Sequence, residues 1–285
     1  MTVRLFSAPT PVRASFRVLE HAAPAIGARW AERIWFTLPR PRDTPATRPG
    51  LPAPGDPFAV EVDGHQVVGE AWGAGPVVYL MHGWAGRWEH LAPFVPPLVA
   101  AGHRVVAFDA PSHGRSAPGR YGARSSSIPE FVAALAGVVA RHGPAHAVIA
   151  HSMGATAAAV ALCDGLPVGR VALLAPMASP ASYARQFAAV LGLGERTHRR
   201  LVARIERRVG APMHHFDVPL LGRGATVPPA LIVHDRDDAS TPVADGEAIA
   251  AAWTGARLHV TSGLGHRRLL RDPAVVAEVV DFVRR

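Results

Sequence analysis

The chain has 285 residues, 49% of them hydrophobic, and a formal net charge of +8. That length and apolar content exclude a disordered chain and suit one large α/β domain, or two small ones, with a sizeable core. Every one of the 30 Lys+Arg positions is arginine, and they spread along the chain; a nucleic-acid site needs clustering on one face, so no nucleic-acid partner is expected.

Cys163 is the single cysteine, which rules out an intrachain disulfide framework and permits a reducing compartment. The first residues, MTVRLFSAPTPV, have no uninterrupted apolar segment of the signal-peptide kind, because Pro9 and Pro11 interrupt it. No run approaches eighteen strongly apolar residues, so no membrane span is expected, and the reading is of a soluble, cytoplasmic protein.

In chain order, residues 18–37 suit a helix after Pro24, and the proline-rich stretch 38–57 reads as an irregular connector. These form an N-terminal segment, 1–57, ahead of a main domain, 58–285. FAVEVDG and QVVGEAWG read as a β-hairpin turned at Asp63-Gly64. Short continuous apolar runs follow at 77–83, 104–110, 146–152, 170–176, 230–235 and 257–263, as expected of strands buried on both faces of a mostly parallel sheet. Helical patterns separate them. One begins with the pair Ser127 and Glu130, spaced as a capping box, and the last begins with Asp272 as N-cap and Pro273 at N1. The fold class is therefore α/β: an eight-stranded, mostly parallel twisted sheet with helices on both faces. About fifty residues, 177–229, lie between the fourth and fifth of those runs, far more than one crossover helix requires. They contain two helical patterns, and an insertion over the carboxyl ends of the strands is the place for a lid.

Chemistry concentrates at those carboxyl ends. VIAHSMGATAA, residues 148–158, places Ser152 where an apolar strand gives way to a run of small residues. The pattern is that of a nucleophile elbow, G-x-S-x-G, with Ala150 in place of the first glycine. The demand there is steric, since a strained nucleophile needs small neighbours two residues away on each side, and Ala150 and Gly154 meet it. A serine that merely caps the next helix is the competing reading. A serine hydroxyl needs a base, and among fifteen histidines His266 stands just after the last strand, on the same sheet edge. The base needs a carboxylate, for which Asp235, Asp237 and Asp238 are all candidates. Two amides complete the set as an oxyanion hole: Met153, directly after the serine, and Trp84, in the loop MHGWAGR.

Taken together, HGW at 82–84, FDAPSHGRS at 108–116, AHSMG at 150–154, HDRDDASTP at 234–242 and GLGH at 263–266 make the chain resemble the α/β-hydrolase fold family over about residues 58–285. The family's acid stands three residues after a glycine and four before a proline. The resemblance thus selects Asp238, four before Pro242, with Asp235 at the glycine position. The family's D-x-x-G-x-G-x-S loop appears as Asp109, Gly114 and Ser116, with Ser112 at its first glycine. The resemblance implies a serine hydrolase acting on an ester or thioester substrate, without metal or organic cofactor. Its serine sets it apart from the aspartate-nucleophile dehalogenase and epoxide-hydrolase branches. Carbon–carbon bond hydrolysis, cofactor-free peroxidation and a non-catalytic ligand-binding relative are the alternatives.

Two further features call for a reading. His214-His215 is not expected to bind a metal, because adjacent residues do not share a face and no carboxylate framework surrounds them. The amphipathic segment THRRLVARIERRVG reads as a lid helix with a solvated basic face, and the sharper expectation is that Arg199, Arg200 and Arg204 draw anionic substrates.

Overall fold

The computed structural model describes residues 8–39, 51 and 54–285. Two helices open the chain, α1 (Thr10–Ala22) and α2 (Pro24–Phe36). The second matches the helix expected after Pro24. The first is a helix that the sequence does not lead one to expect: Pro11, which interrupts the apolar segment there, sits in the first turn of α1, where a missing N–H costs nothing. Most of the connector expected over 38–57 lies outside the described residues.

The hairpin follows as β1 (Asp56–Val62) and β2 (His65–Trp72). Its turn at Asp63 and Gly64 has φ of 50° and 78°, both in the left-handed region that a two-residue hairpin turn of this hand requires. Then come β3 (Val77–Met81), α3 (Val95–Ala100), β4 (Arg104–Phe108), α4 (Ile128–His142), β5 (Ala145–His151), α5 (Met153–Cys163) and β6 (Val171–Leu174). The insertion supplies α6 (Pro180–Leu191), α7 (Glu195–Val209) and α8 (Val218–Gly224). The chain closes with β7 (Ala230–Asp235), α9 (Val243–Ala252), β8 (Arg257–Thr261), the short turn α10 (Gly265–Arg268) and α11 (Pro273–Arg284).

The eight strands form one sheet in the order β1-β2-β4-β3-β5-β6-β7-β8. The β1–β2 and β2–β4 pairs are antiparallel, and every pair from β4 through β3 to β8 is parallel. Alternate residues of the inner strands enter opposite cores. Tyr79, Met81, Val106, Phe108, Val148 and Ala150 face one, with Phe131 and Leu135 of α4 and the alanines of α5. Val78, Leu80, Val105, Ala107, Ala147 and Ile149 face the other, with Leu98 of α3 and Val279 and Val283 of α11. Burial on both faces is why these strands read as unbroken apolar runs.

A third core lies outside the sheet. Phe16, Ala31 and Phe36 of the N-terminal helices pack with Ala184, Phe187 and Leu191 of α6 and Leu201 and Ile205 of α7. The insertion is thus half of a helical layer whose other half begins at residue 10. Helix ends follow local chemistry. Asp272 caps α11, accepting from the amides of Ala274 and Val275 at 3.0 and 3.1 Å. The expected capping box at α4 forms differently: Ser127 Oγ donates to the Glu130 carboxylate at 2.9 Å and takes no backbone amide. The other Glu130 oxygen already accepts the Arg120 amide, so the pair closes through its side chains.

Candidate active site

Because β3, β5, β7 and β8 run parallel, the loops after them leave the same edge of the sheet. Ser152 lies between β5 and α5 with φ 55° and ψ −123°, a conformation rare for any residue with a side chain. The surroundings hold it there. Its amide donates to Leu174 O at 2.9 Å. A Cβ on Gly154 would stand 2.1 Å from His82 O, and one on Gly83 would stand 2.8 Å from Ser152 Cβ. Ala150 is fully buried between strand neighbours, where its methyl is accommodated.

His266 stands on α10, and its Nε2 is 3.1 Å from Ser152 Oγ. Its Nδ1 is 2.7 Å from Asp238 Oδ2. The three groups form one hydrogen-bonded line from hydroxyl to imidazole to carboxylate. Burial alone would raise the Asp238 pKa. Hydrogen bonding and charge attraction from His266, with the amides of Thr241 and Ser240 on Oδ1, outweigh that and hold it below the ordinary carboxylate value. Asp238 is therefore an anion beside the ring.

The other two acids do different work. Asp235 accepts from the Asp237 and Leu264 amides and the Thr261 hydroxyl, and Asp237 accepts from the Gly263 amide at 2.8 Å. Both tie the loop after β7 to the loop that carries His266. Three acids in four residues are thus sorted by direction, one toward the ring and two toward backbone.

Two buried residues at this site escaped the sequence reading. Thr241 Oγ1 donates to Asp238 Oδ2 at 2.8 Å and lies 3.2 Å from His266 Nδ1, so it restrains the same carboxylate oxygen that faces the ring. His151 Nε2 donates to His266 O at 2.9 Å, with the two rings 4.6 Å apart. Burial keeps the His151 pKa well below the ordinary value, so this ring adds a donor without a second positive charge. The only signal in the sequence was adjacency to Ser152. A third histidine, His234, lies 3.7 Å from Asp238 but turns its Nε2–H to Thr241 O at 3.0 Å. Burial lowers its pKa too, leaving His266 as the partner of Asp238.

The loop after β3 is pinned by side chains. His82 donates from Nδ1 to Gly83 O at 2.8 Å and accepts the Ala110 amide at Nε2 at 3.0 Å, which fixes its tautomer. His113 donates from Nδ1 to Pro111 O and accepts the Ala85 amide at Nε2, 3.1 Å away, with Ala85 at φ 53°. Burial pushes the His113 pKa down to about 4, so Nε2 keeps its lone pair at neutral pH. The Gly86 amide bonds Gly83 O, and the Trp88 amide bonds Asp109 Oδ1 at 2.9 Å. The amide of Trp84 has no acceptor among the described residues, and neither has that of Met153 at the first position of α5. Ser112, at the family's first glycine, takes φ 65° itself, and Ser116 Oγ donates to Asp109 O, so the loop keeps its shape.

Two of the α7 arginines are engaged with the N-terminal helices. Arg204 and Arg208 reach Glu32 of α2, and Arg208 also lies over the rings of Phe36 and Tyr121 at 4.3 and 4.4 Å. The expectation that Arg204 draws substrate is corrected on that ground. His215 faces Asp164 at 3.5 Å, and no cluster of three or more metal-ligating side chains occurs among the described residues. No helix is long and apolar enough to cross a membrane among those residues.

Comparison with known proteins agrees with the architecture. The model of the alpha/beta hydrolase family matches residues 77–279. Epoxide hydrolase B of Mycobacterium tuberculosis is 38% identical over 85 residues, which is 30% of this chain and 24% of that protein. A non-heme haloperoxidase of Rhodococcus erythropolis is 34% identical over 102 residues, 34% of this chain and 35% of that protein. The chain thus matches only a quarter to a third of the length of these curated relatives. An esterase from Exiguobacterium antarcticum superposes with a TM-score of 0.61 at 17% identity, covering 80% of this chain and 99% of its own, a likeness of fold. The chain belongs to the alpha/beta hydrolase family.

Proposed function

We propose that this protein is a serine hydrolase of carboxylic esters or thioesters. The observation that carries the reading is the line from Ser152 Oγ through His266 to Asp238, at 3.1 and 2.7 Å, on a serine held at positive φ. Ser152 attacks the substrate carbonyl while His266 Nε2 takes its proton. Asp238 holds Nδ1–H toward itself and stabilises the imidazolium that forms. The amides of Trp84 and Met153, without acceptors among the described residues, serve the developing oxyanion, and the N-terminal end of α5 adds its positive dipole. The proton on His266 passes to the leaving alcohol or thiol. Water, activated by the same ring, then releases the acid from the acyl-enzyme.

The haloperoxidase similarity supports a second reading, in which hydrogen peroxide replaces water in the deacylation step and a peracid leaves. The epoxide-hydrolase similarity does not extend to mechanism here. A serine that opened an epoxide would form an ether, which offers water no carbonyl to attack. A panel of p-nitrophenyl esters and acyl thioesters, with water or hydrogen peroxide as acceptor, tests both readings. Turnover that disappears in Ser152→Ala is expected; turnover that survives the substitution overturns the assignment.

A further inference from the structure

Arginines run the whole length of the sequence, but the fold concentrates their charge. Helices α1, α2 and α7 carry ten arginines against four glutamates, a net of +6 out of the chain's +8. They pack on one another around the third core. The glutamates are already engaged: Glu20 accepts the amides of Arg196 and Thr197, Glu32 pairs with Arg204 and Arg208, and Glu206 accepts the Met213 amide. Glu195 lies 3.9 Å from Arg199 in an exposed pair of little strength. Eight arginines remain on the surface, at 13, 17, 29, 33, 196, 199, 200 and 207. Those at 196, 199 and 200 line an open groove with Ala203 on one face of α7.

Two large apolar side chains stand exposed on the same helices. Val18 of α1 is 66% exposed and Ile26 of α2 is 62% exposed, the two most open large apolar side chains among the described residues. Val18 follows Arg17 directly, and Ile26 shares a helix face with Arg29 and Arg33 at spacings of three and seven. Exposed arginines with apolar side chains among them match an anionic bilayer surface, which offers phosphates to the guanidiniums and acyl chains to the apolar groups.

We propose that the layer formed by α1, α2 and α7 is a docking surface for anionic phospholipid membranes. The surface is separate from the Ser152 site and stands whatever that site acts on. The test is co-sedimentation of the full chain with phosphatidylcholine vesicles that contain or lack phosphatidylglycerol, over a range of salt. Binding is expected only with the anionic lipid and should weaken as salt rises. The triple variant R196E/R199E/R200E should bind about a hundredfold more weakly. The pair Val18→Ser and Ile26→Ser should lose about tenfold with no change of charge. Far-UV circular dichroism and thermal unfolding establish that each variant is folded. If the triple variant is not, R29E/R33E reads the neighbouring helix in its place. Equal binding to neutral vesicles, no binding, or wild-type affinity in the charge variants would overturn the proposal. So would tighter binding to an RNA or duplex DNA oligomer than to the vesicles at matched salt.

Discussion

The strand-end site and the helical layer of α1, α2, α6 and α7 are held by opposite kinds of polar interaction. At the site, buried histidines stay neutral and aim ring nitrogens at backbone groups: His82 at Gly83 and Ala110, His113 at Pro111 and Ala85, His151 at His266. In the layer, charged arginines outnumber glutamates, and the paired ones join residues far apart, such as Glu32 and Arg204, 172 positions away. The first arrangement ties each loop to defined backbone groups, and the second holds helices together while leaving charge on the surface. Substitutions should therefore separate: at the site they should cost rate, in the layer stability.

The largest expected effect is on rate. Ser152→Ala should lower kcat/KM for the best ester by about 10⁴-fold or more while leaving thermal unfolding nearly unchanged. Asp238→Asn should follow, at about 10³- to 10⁴-fold, because it removes the anion that orients His266. Asp235→Asn and Asp237→Asn, which disturb loop ties and not the His266 contact, should stay within about tenfold. Equal losses at all three aspartates would erase the distinction among them.

Acid should expose the site's dependence on neutral histidines. Burial holds His113 at about 4 against an ordinary 6.5, so as pH falls the unfolded chain takes up the proton first. Stability present above pH 6.5 is then lost progressively toward pH 4, by about 3 kcal/mol from His113 alone. His82, His90 and His151 are depressed in the same direction. Asp109, raised to about 6 by burial, works against them, but the depressed histidines, His234 among them, set the sign. Urea unfolding at pH 7 and pH 5 measures the change, and a stability that rises on acidification would contradict it.

The smallest effect sharpens the other side of the comparison. Glu32→Ala strips Arg204 and Arg208 of their carboxylate and should cost about 2 kcal/mol, less than a fully buried pair because both guanidiniums reach solvent. Ester turnover by the folded variant should not change. A loss of rate without a loss of stability would mean that the layer acts on the site directly.

The same division governs what could be read from the sequence. Strands buried on both faces announce themselves as apolar runs, and the elbow and the loops after β7 and β8 are short local motifs, so Ser152, Asp238 and His266 could be singled out as candidates. Ala150 was legible as a size requirement. Thr241 and His113 were not, because their partners lie across loops that only the folded sheet brings together. Helix α1 was missed because a proline that interrupts an apolar segment also starts a helix well. The clustering of arginine was hidden for the same reason as the third core. It joins residues 10–36 to residues 180–216, and no window of sequence contains both.

Fluorophosphonate labelling of the intact protein, read by mass spectrometry of its peptides, tests the central claim most directly. A nucleophilic serine activated by His266 and Asp238 predicts one adduct, on Ser152, absent in Ser152→Ala and formed far more slowly in Asp238→Asn. An unlabelled wild-type protein, or an adduct on another residue, would contradict it.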